Sequence, residues 1–244
     1  MAKASLLLCI CDRCGTCVSL GELLHAVDCP RCGFRMASPG IVSFDSEAWA
    51  GEQRADYLAG CLDAFEIALT PRRTRLVYSV AVRNGLGQRA NELIHAAMTA
   101  GEEWAETGEP PSAIGDLRRR LGVNTRFGTP AHERWKLAHA MLADGSKLNV
   151  QRYQPATLAA LADALRELFP NPFVPLTWDP EWFTSTVRNL AAHIYESRDF
   201  SAMPIFGDAL MDAGCDHQLI QEHCRTVKPH ARGCWVVDAI LGKT

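Results

Sequence analysis

The sequence predicts a mainly α protein, in which a multi-helical body follows a small N-terminal β zinc ribbon. Three observations predict this fold. Six of the ten cysteines fall within the first 32 of 244 residues, a density typical of a module held together by metal. Beyond residue 43, apolar residues recur at spacings of three, four and seven, which is the helical period. We find no alternating strand pattern in that part of the chain.

Two Cys-x-x-Cys pairs define the predicted ribbon. Cys11 and Cys14 form the first pair, Cys29 and Cys32 form the second, and a glycine follows each pair. Two intervening residues let both sulfurs face one point, about 2.3 Å from a zinc ion. The glycine permits the positive φ that closes such a turn. Because four thiolates leave no open coordination position, we expect one structural Zn²⁺ per chain at these four cysteines.

A second register of ligands is open, in which Cys17 replaces Cys11. The overlapping pair Cys14 and Cys17 has the same spacing. We favour the register with Cys11, because glycine follows Cys14 whereas a β-branched valine follows Cys17. In that register Cys9 and Cys17 are expected to be small buried apolar side chains.

Residues 9–36 resemble the short CPxCG…CPxCG zinc ribbons that precede many bacterial proteins. Leu20, Leu23 and Leu24 match the apolar middle of such ribbons, and Asp12 replaces the proline of the first pair. The resemblance implies a recognition module for protein or nucleic acid. The alternative is an extension that metal stabilises, because about 40 residues cannot bury a core unaided.

Capping residues and prolines divide the body into helices. Asp45 or Ser46 is expected to cap a helix that runs to Leu69, and Thr70-Pro71 begins the next one. A proline-rich extended segment is expected over residues 169–175. Further helices are expected over residues 91–104, 112–121, 131–142, 155–169, 180–194, 203–213, 217–224 and 230–241.

Two domains are expected, a zinc ribbon over residues 1–42 and a helical domain over residues 43–244. An internal boundary near residue 154 is an alternative division of the helical part. Residues 165–244 resemble the C-terminal part of a family of uncharacterised helical proteins abundant in planctomycete bacteria, which implies a helical fold and no established activity. The resemblance rests on Trp182 and on the segments 171–175, 190–200, 203–205, 208–215, 223–225, 230–238 and 241–243.

The tail contains several residue types that bind metals within 20 positions. Cysteine and neutral histidine both bind zinc, so a second metal site is one interpretation. The spacings are irregular, which favours buried thiols and structurally satisfied histidines instead. The residues are Cys215, His217, His223, Cys224, His230 and Cys234.

A basic block lies within a chain whose net charge is −3. Residues 112–153 carry eight basic and three acidic residues, with aromatic residues interleaved. This mixture can follow a phosphate backbone and stack on bases. The alternative is a solvated, ion-paired helix face. The candidate contacts are Arg118, Arg119, Arg120, Arg126, Arg134 and Lys136.

The sequence contains no complete catalytic motif of the kinds searched for. The pair His132-Glu133 lacks the second histidine of a metalloprotease helix, and we find neither a glycine-rich phosphate loop nor a G-x-S-x-G elbow. The favoured function is therefore a non-enzymatic interaction or accessory protein that binds another protein. A nucleic-acid-binding regulator that uses the basic block and a metal-dependent enzyme that uses the tail are the alternatives.

The location is expected to be cytoplasmic, without a membrane partner. No apolar stretch approaches the roughly 18 residues of a membrane helix. The apolar run over residues 4–11 is shorter than a usual signal sequence. In a reducing compartment, Cys-x-x-Cys pairs bind metal in preference to forming disulfides.

Overall fold

The computed structural model describes residues 5–11, 17–19, 29, 33, 40–85, 91–123, 130–143, 148 and 153–243. These residues form a mainly α fold with one small sheet, which confirms the expected fold class. The chain divides into two compact units. The first comprises Met1–Arg166 and Asn171–Phe173, and the second comprises Glu167–Pro170 and Val174–Thr244.

A three-stranded antiparallel sheet begins the first unit. Strand β1 (Ser5–Ile10) lies between β2 (Cys17–Ser19) and β3 (Gly40–Asp45). Cys9 is fully buried, as expected for a small apolar side chain. Strand β3 continues past residue 42, the end of the expected ribbon, and leads directly into the first helix.

The single helix expected over residues 46–69 is wrong, because the chain forms α1 (Ser46–Gly51) and α2 (Ala55–Ala64) instead. Asp45 accepts the N–H of Ala48 and caps α1, as predicted. At the break, the Arg166 guanidinium donates to the carbonyl oxygens of Trp49 and Glu52. These bonds satisfy carbonyl groups that a helix end leaves without partners.

The other helices of the first unit follow the expected order. Thr70 caps α3 (Pro71–Val80), and a π-helical turn continues it to Gly85. Asn91 caps the next helix, which ends where Gly108 adopts a φ of 75°. These later helices are α4 (Glu92–Thr107), α5 (Ile114–Val123), α6 (Pro130–Met141) and α7 (Pro155–Leu168).

Asn171 and Phe173 belong to the first unit. The Asn171 side-chain amide donates to the backbone oxygen and to Oγ of Ser46, at 3.1 and 2.9 Å. The Phe173 ring packs edge-on against Phe65 and also contacts Phe44. The segment expected to be extended thus supplies an anchor for the start of α1.

The second unit consists of short helices around an apolar core. Thr184 caps α8 (Ser185–Ser197), whereas Asp179 caps only the 3-10 turn Pro180–Trp182. The helix expected from residue 230 begins five residues later, because residues 230–234 form a turn in which Gly233 has a φ of 90°. The remaining helices are α9 (Met203–Asp212), α10 (Gln218–Arg225) and α11 (Trp235–Leu241). Among the described residues, the helices are too short or too polar to cross a bilayer.

Candidate metal centre

Four side chains of metal-ligating type meet inside the second unit. Glu167, His223, His230 and Cys234 each offer one ligand atom, and these atoms lie within 4.8 Å of one another. Cys234 is fully buried. The side chains of Glu167, His230 and His223 are 8%, 4% and 12% exposed. We call these four residues the Glu–His–His–Cys centre.

Helix ends and a turn bring the four residues together. Glu167 lies in the last turn of α7, His223 lies on α10, and Cys234 is the residue before α11. His230 belongs to the segment that connects these last two helices. The backbone N–H of Ala231 donates to Oε1 of Glu167 at 3.1 Å, so this segment is held against the carboxyl group.

Three distances within the centre lie near the edge lengths of a tetrahedral metal site. Nδ1 of His230 lies 3.1 Å from Oε2 of Glu167. Nε2 of His223 lies 3.2 Å from Sγ of Cys234 and 3.6 Å from Oε2 of Glu167. Tetrahedral zinc with bonds of about 2.0–2.3 Å requires ligand atoms about 3.3–3.7 Å apart. The centre therefore offers a cation one sulfur, two nitrogen and one oxygen ligands, and ligand atoms as far as 4.8 Å apart would have to move closer to complete a tetrahedron.

Burial controls the charges of the centre. Burial raises the pKa of the Glu167 carboxyl, although hydrogen bonds from His230 and Ala231 oppose the shift. Burial, with the nearby Glu167 carboxylate, raises the pKa of the Cys234 thiol well above its usual value. Burial and the neighbouring His230 lower the pKa of His223 to about 3. Without a cation, burial disfavours the charged forms of these groups, and a divalent cation would favour the thiolate and the carboxylate.

Two further polar atoms border the centre. The indole N–H of Trp235 donates to Nδ1 of His223 at 3.1 Å. Nε2 of His230 is buried and has no hydrogen-bond partner within the part of the chain that the structure describes. Because buried polar atoms are usually paired, this nitrogen is an unusual feature of the centre.

The structure brings together only half of the six tail residues singled out from the sequence. His223, His230 and Cys234 belong to the centre, whereas Cys215, His217 and Cys224 do not. Nε2 of His217 contacts the carbonyl oxygen of Pro175 at 3.1 Å. Cys215 and Cys224 are buried thiols whose pKa values burial raises, to about 12 for Cys224.

Glu167 is the ligand candidate that sequence reasoning missed. It lies 63 residues before His230, so no local spacing connects the two. One signal was present in the sequence. Glu167 follows Ala160 by seven positions and Ala164 by three, which places a carboxyl group on the apolar stripe of its helix.

The structure describes part of the predicted ribbon site. Cys11 and Cys29 are buried. Gly33 has a φ of 66° and donates its N–H to the carbonyl oxygen of Cys29 at 2.8 Å, which confirms the positive φ expected after the second pair. Cys14, Cys32 and the side chain of Cys17 lie outside the described residues. The zinc tetrad therefore stays a prediction.

Three of the six candidate nucleic-acid contacts form ion pairs in the described structure. Arg119 and Arg120 are exposed and lie 3.3 and 3.6 Å from Asp116. Lys136 lies 2.6 Å from the buried Glu133, which also accepts the N–H of Gln154. Arg118 and Arg134 are half-buried, and Arg126 lies outside the described residues. Nucleic-acid binding stays a prediction.

Comparisons with known proteins found no relative. No family model, no curated protein and no solved structure matches this chain. The resemblances of residues 9–36 and 165–244 stay expectations.

Proposed function

We propose that this chain is a non-enzymatic, zinc-stabilised accessory protein that binds another protein. In this proposal the Glu–His–His–Cys centre binds one zinc ion, and the N-terminal ribbon binds another through Cys11, Cys14, Cys29 and Cys32. The burial of four metal-ligating groups whose ligand atoms lie within 4.8 Å of one another carries the proposal. Four protein ligands leave no open coordination position, which is typical of structural and not of catalytic zinc sites.

The donor set favours zinc over other common cations. Ca²⁺ and Mg²⁺ prefer oxygen ligands in sites of six or more positions. Copper(II) and nickel(II) prefer square-planar or tetragonal arrangements. Sulfur, imidazole and carboxylate in a tetrahedral arrangement are typical of zinc. Cobalt(II) should occupy the same positions and serve as a spectroscopic probe of the thiolate.

A zinc ion at this centre would connect three parts of the second unit. Glu167 lies in the last turn of α7, His223 lies on α10, and Cys234 precedes α11. A ligand that binds the folded state and not the unfolded state stabilises the fold by mass action. The role of this ion is thus to hold a small helical unit in one conformation, so that its surface can serve a protein partner. Reduced thiols, as in the predicted cytoplasmic location, are required for this role.

Metal stoichiometry tests this proposal. The full chain, purified with a reductant and without a histidine tag, should contain two zinc ions per chain by elemental analysis. Cys234→Ala should remove one ion and Cys29→Ala the other. Cys215→Ala is the matched control, because it removes a buried thiol of the same unit that lies outside the centre.

Two results would overturn the proposal for the centre. One is a Cys234→Ala protein that keeps the stoichiometry of the wild-type chain. The other is wild-type protein whose only zinc is lost in Cys29→Ala. Far-ultraviolet circular dichroism of each variant establishes that its helices remain, so that loss of metal is not confused with loss of fold.

A further inference from the structure

The hydrogen bond between Trp235 and His223 fixes where the histidine carries its proton. An indole N–H can only donate, so Nδ1 of His223 accepts this bond with its lone pair. In a neutral imidazole, one nitrogen is protonated and the other is not. The proton of His223 therefore lies on Nε2, the nitrogen that faces Cys234 and Glu167.

This arrangement is the reverse of the usual one around a metal-binding histidine. A histidine that binds a metal donates its other ring N–H to a carboxylate, a carbonyl or water. Here the other ring nitrogen, Nδ1, faces a donor. Nε2 of His223 offers a proton to the centre in place of a lone pair, and it donates to Sγ of Cys234 at 3.2 Å.

Trp235 is held firmly in its position. It is buried, it begins α11, and it follows Cys234 directly. Its ring lies 4.9 Å from the ring of His223 and 6.2 Å from that of Trp178, measured between centroids. These contacts oppose a rotation of the indole away from His223. The hydrogen bond from Trp235 to Nδ1 therefore persists unless a cation binds the other ring nitrogen, Nε2.

We propose that Trp235 regulates metal loading of the Glu–His–His–Cys centre by holding His223 in the tautomer that cannot bind a metal. This inference rests on the proposed function of the centre. Metal entry moves the proton of His223 from Nε2 to Nδ1, and the imidazole stays neutral. The Nε2 lone pair then binds the cation, and the bond from Trp235 breaks. The Cys234 thiol, and the Glu167 carboxyl where it is protonated, release their protons to solvent in the same step.

The metal affinity of a tryptophan variant tests the direction of this effect. In Trp235→Phe no hydrogen bond has to break, so zinc should bind about tenfold more tightly, as expected for the net contribution of one hydrogen bond. If Trp235 only packed against the site, Trp235→Phe would instead bind zinc more weakly, because the smaller ring would leave the ligands less firmly held. Trp178→Phe is the matched control, because Trp178 contacts Trp235 but is not bonded to His223 in the described structure. It should leave the affinity unchanged.

Nuclear magnetic resonance of the full chain gives a readout that a purely structural role would not move. Two-bond ¹H–¹⁵N correlations should place the His223 proton on Nε2 in metal-free protein and on Nδ1 in zinc-loaded protein. The Trp235 indole N–H resonance should shift on loading. An Nδ1 proton in the metal-free protein, or equal or weaker zinc affinity in a folded Trp235→Phe, would overturn the inference.

Zinc loading of the wild type and of Trp235→Phe distinguishes an error in this inference from an error in the proposed function. If wild type loads the centre and Trp235→Phe binds no more tightly, only the regulatory role is wrong. If only Trp235→Phe loads the centre, Trp235 controls loading, but the wild-type chain is not zinc-stabilised there. If neither protein loads it, both proposals are wrong.

Discussion

Nδ1 of His230 lies 3.1 Å from Oε2 of Glu167, although the two residues are 63 positions apart. A buried carboxyl group beside two imidazoles and a thiol is costly when charged and unpaired. A cation bound at this contact would offset that cost.

Glu167→Gln should separate the metal role of this carboxyl from its packing role. An amide has nearly the same shape and retains an oxygen that can accept the Ala231 N–H, so metal-free stability should change by less than about 1 kcal/mol. Zinc affinity should fall at least 100-fold, because an anionic ligand is lost. Competition with a chromophoric chelator measures the affinity. Glu181→Gln, at an exposed carboxyl of the same unit, should leave it unchanged.

Removal of metal should destabilise the wild-type chain selectively. A chelator should lower the thermal midpoint of the wild type, because zinc binds the folded state only. Cys234→Ala lacks a ligand of the centre, so its second unit should show little further response to the chelator. An equal downward shift of that unit's transition in both proteins would contradict a role for the centre. Differential scanning calorimetry records the transitions.

The pH dependence of metal-free stability should reveal the buried neutral His223. The pKa of His223 is about 3 in the folded chain and about 6.5 in the unfolded chain. Between pH 6.5 and pH 3, only the unfolded state therefore gains a proton at this residue. Stability from His223 is therefore present above pH 6.5 and is lost as the pH falls, by about 1.4 kcal/mol per pH unit. His223→Gln should remove this dependence.

Urea unfolding with a chelator present, at pH 6.5 and at pH 5, measures this effect. The stability difference between wild type and His223→Gln should fall by about 2 kcal/mol over this interval. The stability of His223→Gln is subtracted from that of the wild type because Glu167 titrates in both proteins. Burial raises the pKa of Glu167, so its contribution to stability increases as the pH falls, opposite to that of His223. A difference that stays constant with pH would show that folding does not lower the pKa of His223.

Local signals in the sequence predicted the helices well, but contacts between distant residues escaped prediction. Thr70-Pro71 began α3 because a cap and a fixed φ act within one turn. The break after Gly51 was missed because Arg166, more than 110 residues away, satisfies the carbonyl groups there. Glu167 was missed for the same reason. Sequence spacing reports which residues share a helix face and does not report which helix ends meet.

The basic residues of α5 give a test of the nucleic-acid alternative. If that alternative holds, retention on DNA or RNA should weaken steeply with salt and should be lost when Arg118, Arg119 and Arg120 are changed to alanine. Arg54→Ala, at a half-exposed arginine outside the basic block, is the control. Retention that is unchanged in the triple variant would exclude the alternative, and filter binding at several salt concentrations measures it.

Close packing of α9 against α10 is expected to hold His223, which lies on α10, in its position in the centre. A Cβ atom added at Gly207 would lie 2.9 Å from Cβ of Cys224, one residue after His223. Backbone-linked atoms cannot move aside cheaply, so Gly207→Ala should destabilise the chain by about 1–3 kcal/mol. It should also weaken zinc binding, because α10 carries His223. Gly115→Ala is the helical control, because its Cβ would meet no atom within 4 Å, and it should be neutral or slightly stabilising. Equal urea midpoints for the two variants would show that the helices separate without cost at this contact.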